Sequence, residues 1–213
     1  MEINERNNQL VIILRGLQGS GKTTLARKII KHFSLNMGTT LEFIERDMFY
    51  PKRKSKYDTI ADSELIKSKD AYLAELDRLL VNQKPFIVAN VFNRNDDYMS
   101  IAKSALNVHG YSNVIIIEMT SQFTSVNCPA AVTAQYAEKW QPSSQVDFSV
   151  FPESEKPLIA YYKANRVGCE LVKTNTCSNT NLTSMFRGML GDIINGYPDM
   201  PYPKPEWKVN DEE

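Results

Sequence analysis

An excess of charge of either sign is absent from this sequence: 25 Lys and Arg balance 25 Asp and Glu over 213 residues. No global field therefore draws the protein onto a polyanion, and binding of one must come from a local patch. Cysteine is scarce. Cys128, Cys169 and Cys177 are odd in number, with neither CxxC spacing nor a histidine pattern beside them; this argues against a disulfide framework or a zinc site and fits a reducing cytoplasm. The two histidines, His32 and His109, are isolated and read as surface or packing residues. Long apolar runs are also missing, and nothing approaches the ~18 consecutive apolar residues of a membrane span. The N-terminal MEINERNNQL is polar and acidic, unlike a secretion signal.

What is present reads as an α/β protein. Short β-branched runs alternate with segments of helical period, the pattern of βα units around a mainly parallel sheet. Five strands are expected, at 10–15 (LVIILR), 41–45 (LEFIE), 86–91 (FIVANV), 114–119 (VIIIEM) and 168–173 (GCELVK). The near-continuous apolarity of the first, third and fourth predicts central strands buried on both faces. Helices are predicted over 22–33, 62–82, 96–108 and 182–195, with Asp62 and Asp96 as N-caps and Gly196 just past the last. The length fits one domain, 1–196, followed by a proline-rich tail over 197–213.

The most specific signal is GLQGSGKTT, residues 16–24, directly after the first apolar run. Gly16 and Gly21 enclose four residues and are followed by Lys22 and Thr23, which fills GxxxxGK[ST] between a strand and a helix. Side chains on such a loop would block backbone N–H groups from a β-phosphate. Glycines clear the way, and the helix N-terminus adds its dipole. Gly16, Gly19, Ser20, Gly21, Lys22, Thr23 and Thr24 are thus the expected nucleotide-binding residues. Lys22 would bridge the β- and γ-phosphates of ATP, and the Thr23 hydroxyl would ligate Mg²⁺.

The second strand ends in IERDMFY, which puts Asp47 at the sheet edge where ligands bind in open α/β folds. An aspartate there can accept the proton of an attacking hydroxyl and hold it in line with the γ-phosphorus. Directly after it, PKRKSKY places Lys52, Arg53, Lys54 and Lys56 together, flanked by Tyr50 and Tyr57. Such a cluster fits an acceptor with phosphates of its own and aromatic platforms for its bases, and it fits a solvated loop equally well.

VIILRGLQGSGKTTLAR, then IERDMFY, then FIVANVFNRNDDY together resemble the kinase domain of bacteriophage-type polynucleotide 5′-hydroxyl kinases and their zeta-toxin-like relatives, over roughly residues 10–140. The resemblance implies a three-layer P-loop NTPase fold with a helical lid over about 121–166, and Asp47 as general base. Where that family carries an acid at the end of its third strand, this sequence has Ala89-Asn90, leaving Asn90 as a hydrogen-bond partner and Arg94 as an anion clamp for substrate. The family's lid arginine is absent from TSVNCPAAVTAQYAEKWQ, and Lys139, Lys156 and Arg166 are candidates to replace its charge. Thr174 to Ser178 fall where such kinases wrap the adenine. The implied reaction is transfer of the ATP γ-phosphoryl group to a hydroxyl of a nucleic acid or nucleotide. A kinase for a small metabolite or antibiotic, and a catalytically weakened ATP-binding regulator, stay open as alternatives.

Overall fold

The structure is a computed structural model that describes residues 9–51, 60–121, 130–151, 158–175 and 180–197. Its frame is a sheet of six strands in the order β2-β3-β1-β4-β5-β6, where β1 is Leu10–Arg15, β2 Glu42–Glu45, β3 Phe86–Asn90, β4 Asn113–Met119, β5 Leu158–Ala164 and β6 Cys169–Thr174. The first five run parallel, and β6 pairs antiparallel with β5. As expected of central parallel strands, β1 is buried at all six positions.

Alternation along the strands divides the core in two. Val11, Ile13, Val88, Val114 and Ile116 face α2 (Asp62–Val81) and α3 (Asn95–Lys103), while Leu10, Ile12, Leu14, Ile115 and Ile117 face α1 (Lys22–Met37) and α5 (Thr180–Gly196). The result is a three-layer sandwich with the sheet in the middle. Ile116 is fully buried in the layer against α2 and α3. Truncating it, Ile116→Ala, should cost about 2–5 kcal/mol, the usual range for emptying such a core position, measured by chemical denaturation.

Several expectations need correction. The sheet has six strands, not five, because β5 escapes the sequence pattern: in LIAYYKA two tyrosines and a lysine interrupt the apolar run, although Tyr161 and Tyr162 are both fully buried. With β5 at 158–164, a lid cannot extend to residue 166. The helical part of that region is α4 (Ala130–Glu138). Asp62 does not cap α2, since Ala61 holds the N-cap and Asp62 with Glu64 lies in the first turn, favourably placed for the helix dipole. Likewise Arg94, not Asp96, occupies the N-cap of α3. Helix α3 also stops at Lys103, and a π-helical turn over Ser104–Val108 carries Ala105 and Leu106 into the core. Helix α1 runs four residues past the expected end, to Met37, and the C-cap Gly38, with a left-handed φ of 62°, closes it with a bond from its N–H to the Phe33 carbonyl.

Parallel register brings the strand ends to one edge. Arg15 is paired with Asn90 on one side and Glu118 on the other, and Glu45 lies opposite Ala89. Among the described residues, the turns that leave β1 and β3 for α1 and α3 open there. No helix among the described residues is long and apolar enough to cross a membrane.

Candidate active site

The loop from Gly16 to Gly21 leaves β1 at this edge and opens α1. Gly16, at φ 153°, has no room for a side chain: a Cβ there would lie 2.5 Å from Ser20 Oγ, 3.0 Å from Met119 Cβ and 3.1 Å from the Met119 carbonyl oxygen. Gly19 and Gly21 also have positive φ, 80° and 96°, and Gly21 is the N-cap of α1. The Gly16 N–H donates to the Val91 carbonyl at 3.2 Å, tying the loop to the turn after β3. In that turn Phe92 is buried at φ 46°, a left-handed conformation that bulky residues adopt only under constraint.

Lys22 curls over the loop and donates from Nζ to the Gly16 carbonyl at 2.7 Å and the Leu17 carbonyl at 2.9 Å. Burial pulls its pKa down to about 8, against the opposing pull of Glu45 and Asp47. The Ser20 hydroxyl is buried with no hydrogen-bond partner. A glycine-rich turn with a lysine ammonium over it and an orphaned buried hydroxyl is what a phosphate chain would satisfy.

Glu45 is the residue that sequence reasoning missed. Its Oε2 accepts the Thr23 hydroxyl at 3.0 Å. Burial raises its pKa, as does the neighbouring Asp47, while the Thr23 bond, Lys22 and Arg27 pull the other way. The signal lay in IERD, where the last residue of β2 is acidic as well as Asp47 two positions on. Among the described residues no cluster of three or more His, Cys, Asp or Glu side chains could cage a metal. Mg²⁺ is usually held by one or two protein oxygens and the substrate's phosphates, and the Thr23–Glu45 pair fits that donor set.

Asp47 sits in the single 3₁₀ turn Arg46–Phe49 that follows β2. It is exposed, and close enough to Lys22 and Glu45 to perturb both. Beneath this turn, Tyr72 of α2 packs edge-to-face on Phe49 with ring centroids 6.0 Å apart. Its hydroxyl is buried and lacks a partner of good hydrogen-bond geometry, although Asn90 lies close enough to favour its ionised form, and so does the Arg46 guanidinium. Burial dominates and pushes the Tyr72 pKa up to about 12. Arg46 Nε is likewise buried and unpartnered. Asn90 is therefore brought to this side of the site, its Oδ1 accepting the Val91 N–H at 2.8 Å. Arg94 is not: it is largely exposed and pairs with Asp96 at 3.6 Å. Lys52, Arg53, Lys54 and Lys156 lie outside the described residues, and Lys139 is exposed.

On the other side of the loop, Ser20, Gly21, Thr24, Met119, Asn165 and Arg166 line a small cavity of about 40 Å³. The expectation that Thr174 to Ser178 flank the base is corrected for Thr174, and residues 176–178 lie outside the described residues. Because β6 is antiparallel, Thr174 ends at the opposite edge of the sheet, with its hydroxyl on the Ile159 carbonyl at 3.1 Å. The turn after β5 instead lies beside the phosphate loop. It is shaped by Asn165, whose Oδ1 accepts the N–H groups of Val167 and Gly168 at 2.8 and 3.0 Å.

No protein-family model matches the chain, and no curated protein does. Among solved structures, Kti12 of Chaetomium thermophilum, in complex with ADP-AlF3, matches at TM-score 0.52 and 13% identity over 86% of this chain and 98% of its own. This is a P-loop NTPase fold. At that identity the likeness shows the fold alone. The PezAT toxin–antitoxin system of Streptococcus pneumoniae (14% identity, 95% of this chain and 82% of that, TM-score 0.47) and a gluconokinase from Sinorhizobium meliloti 1021 (17%, 73% and 82%, TM-score 0.41) are weaker likenesses. A P-loop fold supplies the cradle; what reacts there is decided by the side chains around it.

Proposed function

We propose that this P-loop protein is an ATP-dependent kinase that transfers the γ-phosphoryl group to a hydroxyl of a nucleic acid or nucleotide, within a kinase domain spanning 1–196. One observation carries the reading: a phosphate loop with its lysine lies near an exposed carboxylate, Asp47, which follows β2 two places away in the sheet, beside the Thr23–Glu45 pair. A hydrolase needs to place only water, whereas an exposed carboxylate beside the loop suits an incoming alcohol.

In this reading the phosphates of ATP lie on the loop and take over the Lys22 bonds now made to Gly16 and Leu17. Thr23 and Glu45 would hold Mg²⁺, which when bound would supply neutralisation of the phosphate charge. Asp47 orients the acceptor hydroxyl, which attacks phosphorus as its proton passes to the carboxylate and the bond to the ADP oxygen breaks. Asn165 and Arg166 flank the base side. Arg46, Tyr72 and Asn90 present polar atoms to the acceptor side, two of them buried without partners. Arginine beside the base residue and a basic stretch directly downstream favour an anionic acceptor.

The test is incubation with γ-labelled ATP and Mg²⁺ against 5′-hydroxyl DNA and RNA, nucleosides, nucleotides and neutral sugars. Labelled oligonucleotide or nucleotide is expected. Replacing Lys52, Arg53 and Lys54 together by Ala should raise the acceptor KM for oligonucleotides and flatten its salt dependence, by a slope of up to ~0.7 for each single-strand phosphate that is no longer neutralised. Saturable turnover of a neutral sugar, indifferent to salt and to those three residues, would instead establish the small-metabolite alternative.

A further inference from the structure

Arg15, the residue immediately before Gly16, is fully buried at the end of a strand that is otherwise apolar. Its Nη1 donates to Asn95 Oδ1, the Tyr98 hydroxyl and the Tyr161 hydroxyl, each at 3.1 Å, and lies 3.6 Å from Glu118 Oε2. Its Nη2 donates to the Gln141 carbonyl at 3.0 Å. The two tyrosines relay the bonding onward, Tyr98 to Asn95 at 2.7 Å and Tyr161 to Glu118. Trp140 closes the cage, with the guanidinium 4.0 Å from its ring centre.

A buried ion pair is weak evidence of stabilisation, because desolvation offsets the attraction and well-packed apolar residues often serve as well. The composition of this cage points instead to a connection. Arg15 and Glu118 are the residues next to Gly16 and Met119, whose Cβ and carbonyl crowd the first glycine of the loop. Trp140 and Gln141 are the root of α4, and Gln141 is pinned twice more, by its N–H to the Asn93 carbonyl at 2.8 Å and by its Oε1 to the Asn95 N–H at 2.6 Å. Helix α4 itself has nine residues and buries none of them. Its Val132 and Tyr136, like Trp140 just past its end, are only half-buried. A helix shorter than ~12 residues is marginal by itself in water, so its seating depends on that root.

We propose that Arg15 is a positioning residue that couples the phosphate loop to α4: its cage fixes the α4 root to the strand ends carrying Gly16 and Met119, so that filling the loop tightens the seating of α4. This rests on the nucleotide-binding part of the function proposed above. The Arg15→Met/Glu118→Met double variant removes both charges at similar volume, and Trp140→Leu removes the ring that closes the cage from the α4 side while leaving the buried ion pair and the Gln141 bonds intact. Each is compared with wild type for affinity towards a non-hydrolysable ATP analogue with Mg²⁺, and for hydrogen exchange in peptides covering Ala130–Glu138 with and without it.

In the wild type the analogue should slow α4 exchange by about tenfold or more, as expected when a marginal element is drawn onto the body. Both variants should lose that slowing and bind the analogue more weakly by a comparable factor of about ten, since coupling between binding and seating is reciprocal. If the double variant does not fold, Trp140→Leu carries the test. Wild-type slowing in a folded variant, or an analogue that binds wild type without slowing α4, overturns the coupling. Failure of the wild type to bind the analogue at all overturns the functional reading, and the coupling with it.

Discussion

Lys22→Met should abolish phosphoryl transfer while leaving the protein at least as stable as wild type at pH 7. The first half follows from the position of Nζ over the loop, since removing one preorganised donor to developing charge costs on the order of 10²–10³ in kcat. The second half follows from burial. In the folded protein the Lys22 pKa is lowered to about 8 from 10.5. The unfolded chain therefore binds more protons between those values, so this group makes stability rise as pH climbs from about 8 towards 10.5. Below that window the buried ammonium is a cost, and Lys22→Met removes it. Thermal unfolding at pH 7 and pH 10 checks the sign: the variant's advantage should shrink as pH rises. The same shift sets nucleotide affinity. If only the charged amine binds phosphate, wild-type affinity should fall above pH 8, by up to about tenfold per pH unit. Titration calorimetry across pH should show that decline in the wild type and not in Lys22→Met.

Asp47→Asn has the second large expected effect. Loss of a general base usually costs about 10²–10⁴ in rate, and because Asp47 is exposed beyond the loop, nucleotide binding near pH 7 should survive. The substitution has an electrostatic signature that a merely structural change lacks. Asp47 raises the Lys22 pKa and raises that of Glu45. Without it both move down, so the decline in nucleotide affinity should begin at a lower pH than in the wild type. A calorimetric pH series on Asp47→Asn measures that displacement directly. Full transfer activity in Asp47→Asn would remove Asp47 as the base and turn attention to Glu45, the other carboxylate at the site.

The two carboxylates show how far the site was legible in the chain. Asp47 could be placed because a strand end is recognisable locally and its last residues point to the ligand edge. Glu45 could not, because its role depends on meeting the Thr23 hydroxyl from another element. Arg94 was drawn towards the cleft by its charge and its place after β3, yet it is largely exposed beside Asp96, a nearer partner in the first turn of α3. The expectation for Thr174 failed for a different reason. Missing β5 left the antiparallel direction of β6 unforeseen, which moved the expected contact from one edge of the sheet to the other.

By itself the sequence determined the phosphate loop, the alternation of strands and helices, and the apolar centre of the sheet. Each of these rests on interactions within a few residues or on a repeating period, so neighbouring positions suffice to specify them. Only the tertiary structure decided which carboxylate meets Thr23, which turn lies beside the phosphate loop, and that Arg15 is buried among Asn95, Tyr98, Tyr161 and Glu118. Those contacts join residues far apart in the chain, 146 positions in the case of Arg15 and Tyr161. Parallel register brings the partners to one edge, and burial removes the water that would otherwise weaken their attraction.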